Sequence, residues 1–309
     1  MRALDGILFF PVTPFDAAGT LREDLLATHI RRCLDAGPGG VFVACGTGEL
    51  HALDADEHER VVRTAVRVSA GRVPVFAGVG GPVASAASMA CAAERAGADG
   101  LLMLPPYLVD APQAGLAAYA ETITGATRLP VIAYHRGNAV YDPQTAAHLA
   151  TLPTVVGIKD GHGDLDLLTR MMAAVRPVLV GSDKLFQFFN GLPTAELTMP
   201  AYRGAGVSLY SSAAFAFAPE IALAFHKALT AGERDRVDSL LSRFFVPFVA
   251  LRSRVPGYAV ALVKAGVRLR GLDVGGVRPP LIDPAPEHVS ELERILADGL
   301  AAVTEVDGS

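Results

Sequence analysis

The sequence predicts an α/β chain: a closed (β/α)8 barrel followed by a helical carboxy-terminal extension. Three observations carry that expectation. Short runs rich in Val, Ile, Leu and Phe recur, usually 20 to 35 residues apart. The runs lack apolar/polar alternation, as strands buried on both faces of a parallel sheet do. Ala-rich stretches with helical spacing lie between them, and eight such units in about 230 residues suit a closed TIM-type barrel.

The first six runs are "GILFFPV", "GVFVACG", "VPVFAGVG", "GLLMLPP", "LPVIAYH" and "VVGIKD", and the eighth is "GVSLYSS". Two segments compete for the seventh, "RPVLVGSD" and "KLFQFFNG". The first would leave Gly191 and Pro193 inside the following helix and break it, so the second is preferred. "TAELTMPAYRGAG" then becomes the next helix, with Pro200 inside it. Intervening segments such as "DEHERVVRTAVRVSAG" begin near Asp or Ser and end in Gly, as capped helices do. An open doubly wound sheet is the alternative, but "GVGG" at Gly78 to Gly81 falls short of a dinucleotide fingerprint. From Glu233 the pattern is helical only, which divides the chain into a barrel over 1–232 and an extension over 233–309. The apolar faces of the extension need the barrel wall or a neighbouring subunit to cover them.

The 309 residues are 51% hydrophobic and 19% charged, with a formal net charge of −5. No basic run stands out, so nucleic acid is not an expected partner. No apolar run approaches the length of a membrane span, and the amino terminus lacks the pattern of a signal peptide. Three cysteines without metal spacing read as free thiols of a cytoplasmic protein.

In such a barrel chemistry sits at the carboxy-terminal ends of the strands. Lys159 and Asp160 end the sixth run, and Lys159 is the candidate nucleophile. An apolar setting destabilises its ammonium and frees the amine to attack a ketone. The competing reading is a lysine that snorkels to solvent or pairs with Asp160. Tyr134 stands at the end of the fifth run, one residue before His135, and is placed to carry a proton, unless it only packs. "GTGE", Gly46 to Glu49, supplies backbone N–H groups of Gly46, Thr47 and Gly48 and the Thr47 hydroxyl, which suit a carboxylate without a metal, the competing reading being a plain βα turn. Arg136 could clamp a second carboxylate, unless it is a loop arginine in solvent, the more common case. Period-two alternation sets Ser208, Tyr210 and Ser212 on one side of the eighth strand. Gly191 completes the expected lining. His51 and His58 fit no zinc spacing and read as a solvated helix start.

"PVTPF", "GTGE", "GADGLLMLPPY", the strand-five tyrosine and "VVGIKD" together resemble the dihydrodipicolinate synthase and N-acetylneuraminate lyase family. These are Schiff-base barrels acting on α-keto acids, and the resemblance spans nearly the whole chain. "CGTGELHAL", "ERAGADGLLMLPPYL", "GLPTAE" and "YSSAAFAFAPEIAL" are similar to its branch of decarboxylating dehydratases acting on 5-dehydro-4-deoxyglucarate. The synthases carry a Thr-Thr pair where Gly46 and Thr47 stand, and a second tyrosine where Leu108 follows Tyr107. The branch carries "YNRDN" where this chain has "YHRGN", with His135 and Gly137 as departures.

The resemblance implies Lys159 as the imine-forming residue, Tyr134 as proton carrier, and the "GTGE" turn as holder of the carboxylate beside the ketone. It also implies that Arg136 and Asn138 grip the far carboxylate and hydroxyls. The sugar-acid substrate it implies would place hydroxyls on Ser208 and Ser212 if their side of the eighth strand faces the mouth. No cofactor or metal is expected. The implied partners are a keto sugar acid and further copies of the chain, as a homotetramer of dimers with Tyr107 near a subunit boundary. A retro-aldolase on a related 2-keto-3-deoxy acid and a non-catalytic keto-acid-binding protein are the alternatives.

Overall fold

A computed structural model describes residues 3–305. Eight parallel strands close into a barrel in chain order. They are β1 (Ile7–Phe9), β2 (Gly40–Val43), β3 (Val75–Val79), β4 (Gly100–Met103), β5 (Val131–His135), β6 (Val155–Asp160), β7 (Gln187–Asn190) and β8 (Leu209–Ser212). The seventh strand therefore falls in the second of the two competing segments. Val178 to Val180 instead end the helix after β6 and its cap.

The first eight helices are α1 (Glu23–Asp35), α2 (Ala55–Ser69), α3 (Val83–Arg95), α4 (Gln113–Gly125), α5 (Pro143–Thr151), α6 (Leu165–Leu179), α7 (Met199–Gly204) and α8 (Pro219–Ala231). Local sequence starts several of them. Asp54 caps α2, accepting from the Glu57 amide at 2.8 Å, while Glu57 reaches back to the Asp54 amide; this reciprocal pair satisfies two donors that a helix start leaves open. Asp142 and Asp164 cap α5 and α6 in the simpler way. The expected helix over "TAELTMPAYRGAG" is corrected in length. A 3₁₀ turn over Ala195–Leu197 precedes a six-residue α7, and Pro200 stands in its first turn, where a missing N–H costs nothing.

Two apolar layers hold the barrel. Inside, Leu8, Phe10, Phe42, Phe76, Leu102, Ile132, Phe189 and Leu209 fill the ring. Phe10 stacks on Phe42 at 4.8 Å and Phe42 on Phe76 at 4.7 Å. Outside, alternate residues of the same strands meet the helices.

The extension comprises α9 (Arg234–Leu240), a π-type turn (Leu241–Phe245), α10 (Val246–Arg252), α11 (Tyr258–Leu269) and α12 (Pro286–Thr304). Its apolar faces cover the barrel wall. Phe245 packs edge-on to Phe225 of α8 at 5.2 Å, and Phe248 lies 5.6 Å from Phe217. Among the described residues no helix is long and apolar enough to cross a membrane.

Candidate active site

A cavity of about 510 Å³ opens over the carboxy-terminal ends of the strands. Lys159 and Tyr134 both line it, and they are register partners across β5 and β6. An irregularity opposite Val131 and Ile132 sets this register. It brings Gly157 beside Ile132, whose side chain faces inward, and so brings Lys159 beside Tyr134.

Lys159 is buried, with 4% of its surface exposed. Its Nζ lies 4.1 Å from the centre of the Phe10 ring and 4.4 Å from that of Tyr134. Among the described residues no carboxylate lies within ion-pair distance of it. Desolvation holds its pKa below the usual lysine value, with the Arg136 charge adding to the shift and Tyr134 opposing it. Neither competing reading describes this lysine. It does not reach solvent, and Asp160 points to the other side of β6. There one Asp160 oxygen accepts from the His162 amide at 2.9 Å, and the other from the Tyr202 hydroxyl at 2.5 Å.

The Tyr134 hydroxyl donates to the Gly191 carbonyl at 2.8 Å and accepts from Arg136 Nη1 at 2.9 Å. Arg136 and Gly191 line the cavity as well. Gly191 is required there, because a Cβ would stand 2.4 Å from Cγ and Cε of Lys159.

Gly46 and Thr47 form the opposite wall. The amides of Glu49 and Leu50 close the turn onto the carbonyls of Gly46 and Cys45. Those of Thr47 and Gly48 donate to nothing among the described residues, the condition for receiving an anion. Gly48 packs behind the turn, its carbonyl accepting from Thr13 Oγ1 at 2.7 Å. Ala44 and Glu49, on either side of the turn, adopt left-handed backbone with φ of 50° and 56°. Such strain persists only where surroundings enforce it. Here the enforcing group is the buried Glu49 carboxylate, which pairs with Lys264 Nζ at 2.6 Å and accepts from the Arg278 amide at 2.9 Å.

Several expectations are corrected. Ser208 precedes β8, at its amino-terminal end, and is exposed, so it lies far along the strand from the mouth. Ser212 is buried toward the helices and donates to Glu196 Oε1 at 2.5 Å. The alternation is real but its phase is reversed: Tyr210 packs against Phe225 on the outside, and Ser211 lines the cavity. Asn138 is committed elsewhere, its amide donating to the carbonyls of Pro106 and Val109 at 2.9 and 2.7 Å. His58 is not solvated but buried, with Nε2 2.8 Å from the Gly78 carbonyl. His51 is exposed and lines the cavity.

The departure "YHRGN" divides in two. His135 faces away from the cavity, accepts from the Tyr141 amide at 2.9 Å, and is pushed down to about 4 chiefly by burial. Gly137 lines the cavity.

Other lining residues carried no signal in the sequence reading. Phe10 supplies the apolar floor, and Thr194 and Ser211 supply hydroxyls. Phe248, Arg252 and Val260 come from the extension, which therefore forms part of the wall. No group of three or more His, Cys, Asp or Glu side chains among the described residues is placed to hold a metal.

Residues 3–298 match the model of the dihydrodipicolinate synthetase family. Two curated relatives, from Streptomyces griseus and Streptomyces coelicolor, carry the names probable 5-dehydro-4-deoxyglucarate dehydratase and probable 5-dehydro-4-deoxyglucarate dehydratase 1. The first is 54% identical over 99% of this chain and 95% of its own length. The second is 56% identical over 98% and 95%. Among solved structures, dihydrodipicolinate synthase from Oceanobacillus iheyensis superposes with a TM-score of 0.87 at 27% identity, covering 96% of each chain. The Bacillus clausii enzyme gives 0.85 at 25%, covering 96% of this chain and 97% of that one. With the barrel, its lysine and these matches in hand, the chain belongs to the dihydrodipicolinate synthetase family.

Proposed function

We propose that the chain is a Schiff-base hydro-lyase that dehydrates and decarboxylates 5-dehydro-4-deoxyglucarate, giving 2,5-dioxopentanoate, water and carbon dioxide. One observation carries the chemistry: an amine buried against two aromatic rings, without a carboxylate partner among the described residues, at the base of a cavity large enough for a six-carbon diacid. The names of the relatives supply the substrate.

The free amide donors of the Thr47 turn receive the carboxylate beside the ketone. The uncharged Lys159 amine adds to that ketone. Tyr134 gives its proton to the carbinolamine oxygen, which leaves as water, and an iminium remains. The phenolate then takes a proton from the neighbouring methylene. The resulting enamine expels the β-hydroxyl, which leaves as water with the proton that Tyr134 returns. The conjugated iminium accepts the electron pair of the bond to the far carboxylate, which departs as carbon dioxide. Proton return and hydrolysis free the lysine and the aldehyde product. The iminium is the electron sink, so the sequence of steps calls on no cofactor. Arg136, which shares the wall with Tyr134, supplies positive charge toward the diacid.

The three free cysteines suit a reducing cytoplasm. Tyr107, Leu108 and Val109 form an exposed apolar tip that suits contact between copies of the chain in a homo-oligomer.

Borohydride reduction in the presence of an α-keto acid tests the site. The expected adduct maps to Lys159 and is lost in Lys159→Met. The other three lysines are poor rivals by environment: Lys184 donates to the carbonyls of Ala150 and Leu152, Lys264 pairs with Glu49, and Lys227 lies outside the cavity. An adduct on any of them overturns the assignment. Carbon dioxide released from the diacid supports the dehydratase, whereas pyruvate would make the protein a retro-aldolase.

A further inference from the structure

Arg252 is the last residue of α10 and lines the cavity from the extension. Its Nη1 donates to Thr194 Oγ1 at 2.6 Å. That bond uses one of a guanidinium's five donors. Among the described residues no carboxylate lies within ion-pair distance of Arg252. Burial and the charge of Arg136 both disfavour its cation, and the Glu196 charge only partly offsets them. Thr194 presents its hydroxyl from a left-handed backbone with φ of 57°, a costly conformation for a β-branched residue. Two guanidiniums thus face one cavity, and they differ in commitment. Arg136 is held on Tyr134, beside the reacting amine. Among the described residues Arg252 is held only by a neutral hydroxyl, on a wall that also carries Phe248 and Val260.

We propose that Arg252 binds the distal carboxylate of the substrate and makes the site selective for diacids over 2-keto monoacids. The inference rests on the reading of the cavity as a keto-acid site. A carboxylate between the two guanidiniums relieves their repulsion and fills donors that Thr194 leaves open. It also fixes the far end of a six-carbon chain whose ketone is at Lys159, which orients the C–C bond that must break.

The test compares imine formation with 2-oxoadipate and 2-oxohexanoate. These compounds share chain length and ketone position and differ in the distal carboxylate. Half-saturating concentrations are read by borohydride trapping and intact mass. The unmodified protein should favour 2-oxoadipate, and Arg252→Gln should reduce that preference by about tenfold or more. Arg252→Lys, which keeps the charge, should recover part of it. A preference unchanged in Arg252→Gln, or equal weakening for both acids, overturns the proposal; the latter would mark Arg252 as a packing residue. Absence of trapping with either acid in the unmodified protein would instead remove the Schiff-base reading itself.

Discussion

A methyl group on Gly191 would stand 2.4 Å from both Cγ and Cε of Lys159. Carbon atoms do not approach so closely, so the amine holds its place only because β7 is followed by a residue without a side chain. Gly191→Ala should displace the lysine while the barrel remains folded, at a cost of about 1–3 kcal/mol. Imine formation should fall by about 100-fold, because small displacements of a reacting atom are expensive. Trapping rates and urea unfolding of the same variant separate the two effects. A variant that traps at the original rate would show that the amine has room to spare.

Lys159 should also cost the protein stability. Burial lowers its pKa from 10.5, so across the window below that value the unfolded chain binds a proton more readily than the folded one. Stability attributable to this group therefore rises with pH through the window. Lys159→Met should be inactive and more stable than the parent at pH 7.5, with an advantage that shrinks toward pH 10. Urea midpoints at both values check it, and an advantage that grows with pH contradicts it.

Tyr134 is tied to Gly191 on one side and Arg136 on the other. Tyr134→Phe removes the proposed proton carrier and leaves packing nearly intact. Turnover should drop by about 10²- to 10⁴-fold, while slow imine trapping persists on long incubation. Parallel steady-state and trapping measurements decide the matter. Unchanged turnover would transfer the proton role to another group, with Ser211 the next to examine.

Glu196 is buried behind the cavity wall, and its pKa is pushed from 4.5 up to about 7, chiefly by desolvation. Between those values the folded chain keeps a proton that the unfolded chain has lost. Stability due to Glu196 therefore falls as pH rises from about 4.5 to 7, by on the order of 3 kcal/mol in full. Glu196→Gln preserves an acceptor for Ser212 and stays neutral. The difference in stability between Glu196→Gln and the parent should widen over that range, as followed by thermal or urea unfolding at stepped pH. A constant difference would show that Glu196 is ionised throughout.

The barrel was legible because buried parallel strands leave an unbroken apolar signature, and Lys159 interrupts it conspicuously. The same simplicity hid the phase of β8. In "SLYSS" every residue could face either way, and only the packing of Tyr210 against Phe225 decides that Ser211 turns inward. Asn138 shows a second limit. Its neighbours Tyr134 and Arg136 line the cavity, but the side chain is claimed by carbonyls of the preceding βα loop, whose path no local pattern reveals. His58 looked solvated beside acidic residues, yet a helix has an inner face and His58 is on it. Arg252 was hidden in a different way. A basic residue in the last turn of a helix already has a routine explanation in the helix dipole, so nothing marked it as part of a cavity.

The ion pair of Glu49 with Lys264 and the bond from Glu49 to the Arg278 amide join the second βα turn to the last third of the chain. Barrels are often regarded as modular, each loop replaceable without regard to the rest. In this chain a graft of the "GTGE" loop would arrive without its counter-charge, and an exchanged tail would strand a buried carboxylate. For anyone recombining relatives, the unit of inheritance is the loop together with Lys264 and Arg278, although more than 200 positions separate them along the polymer.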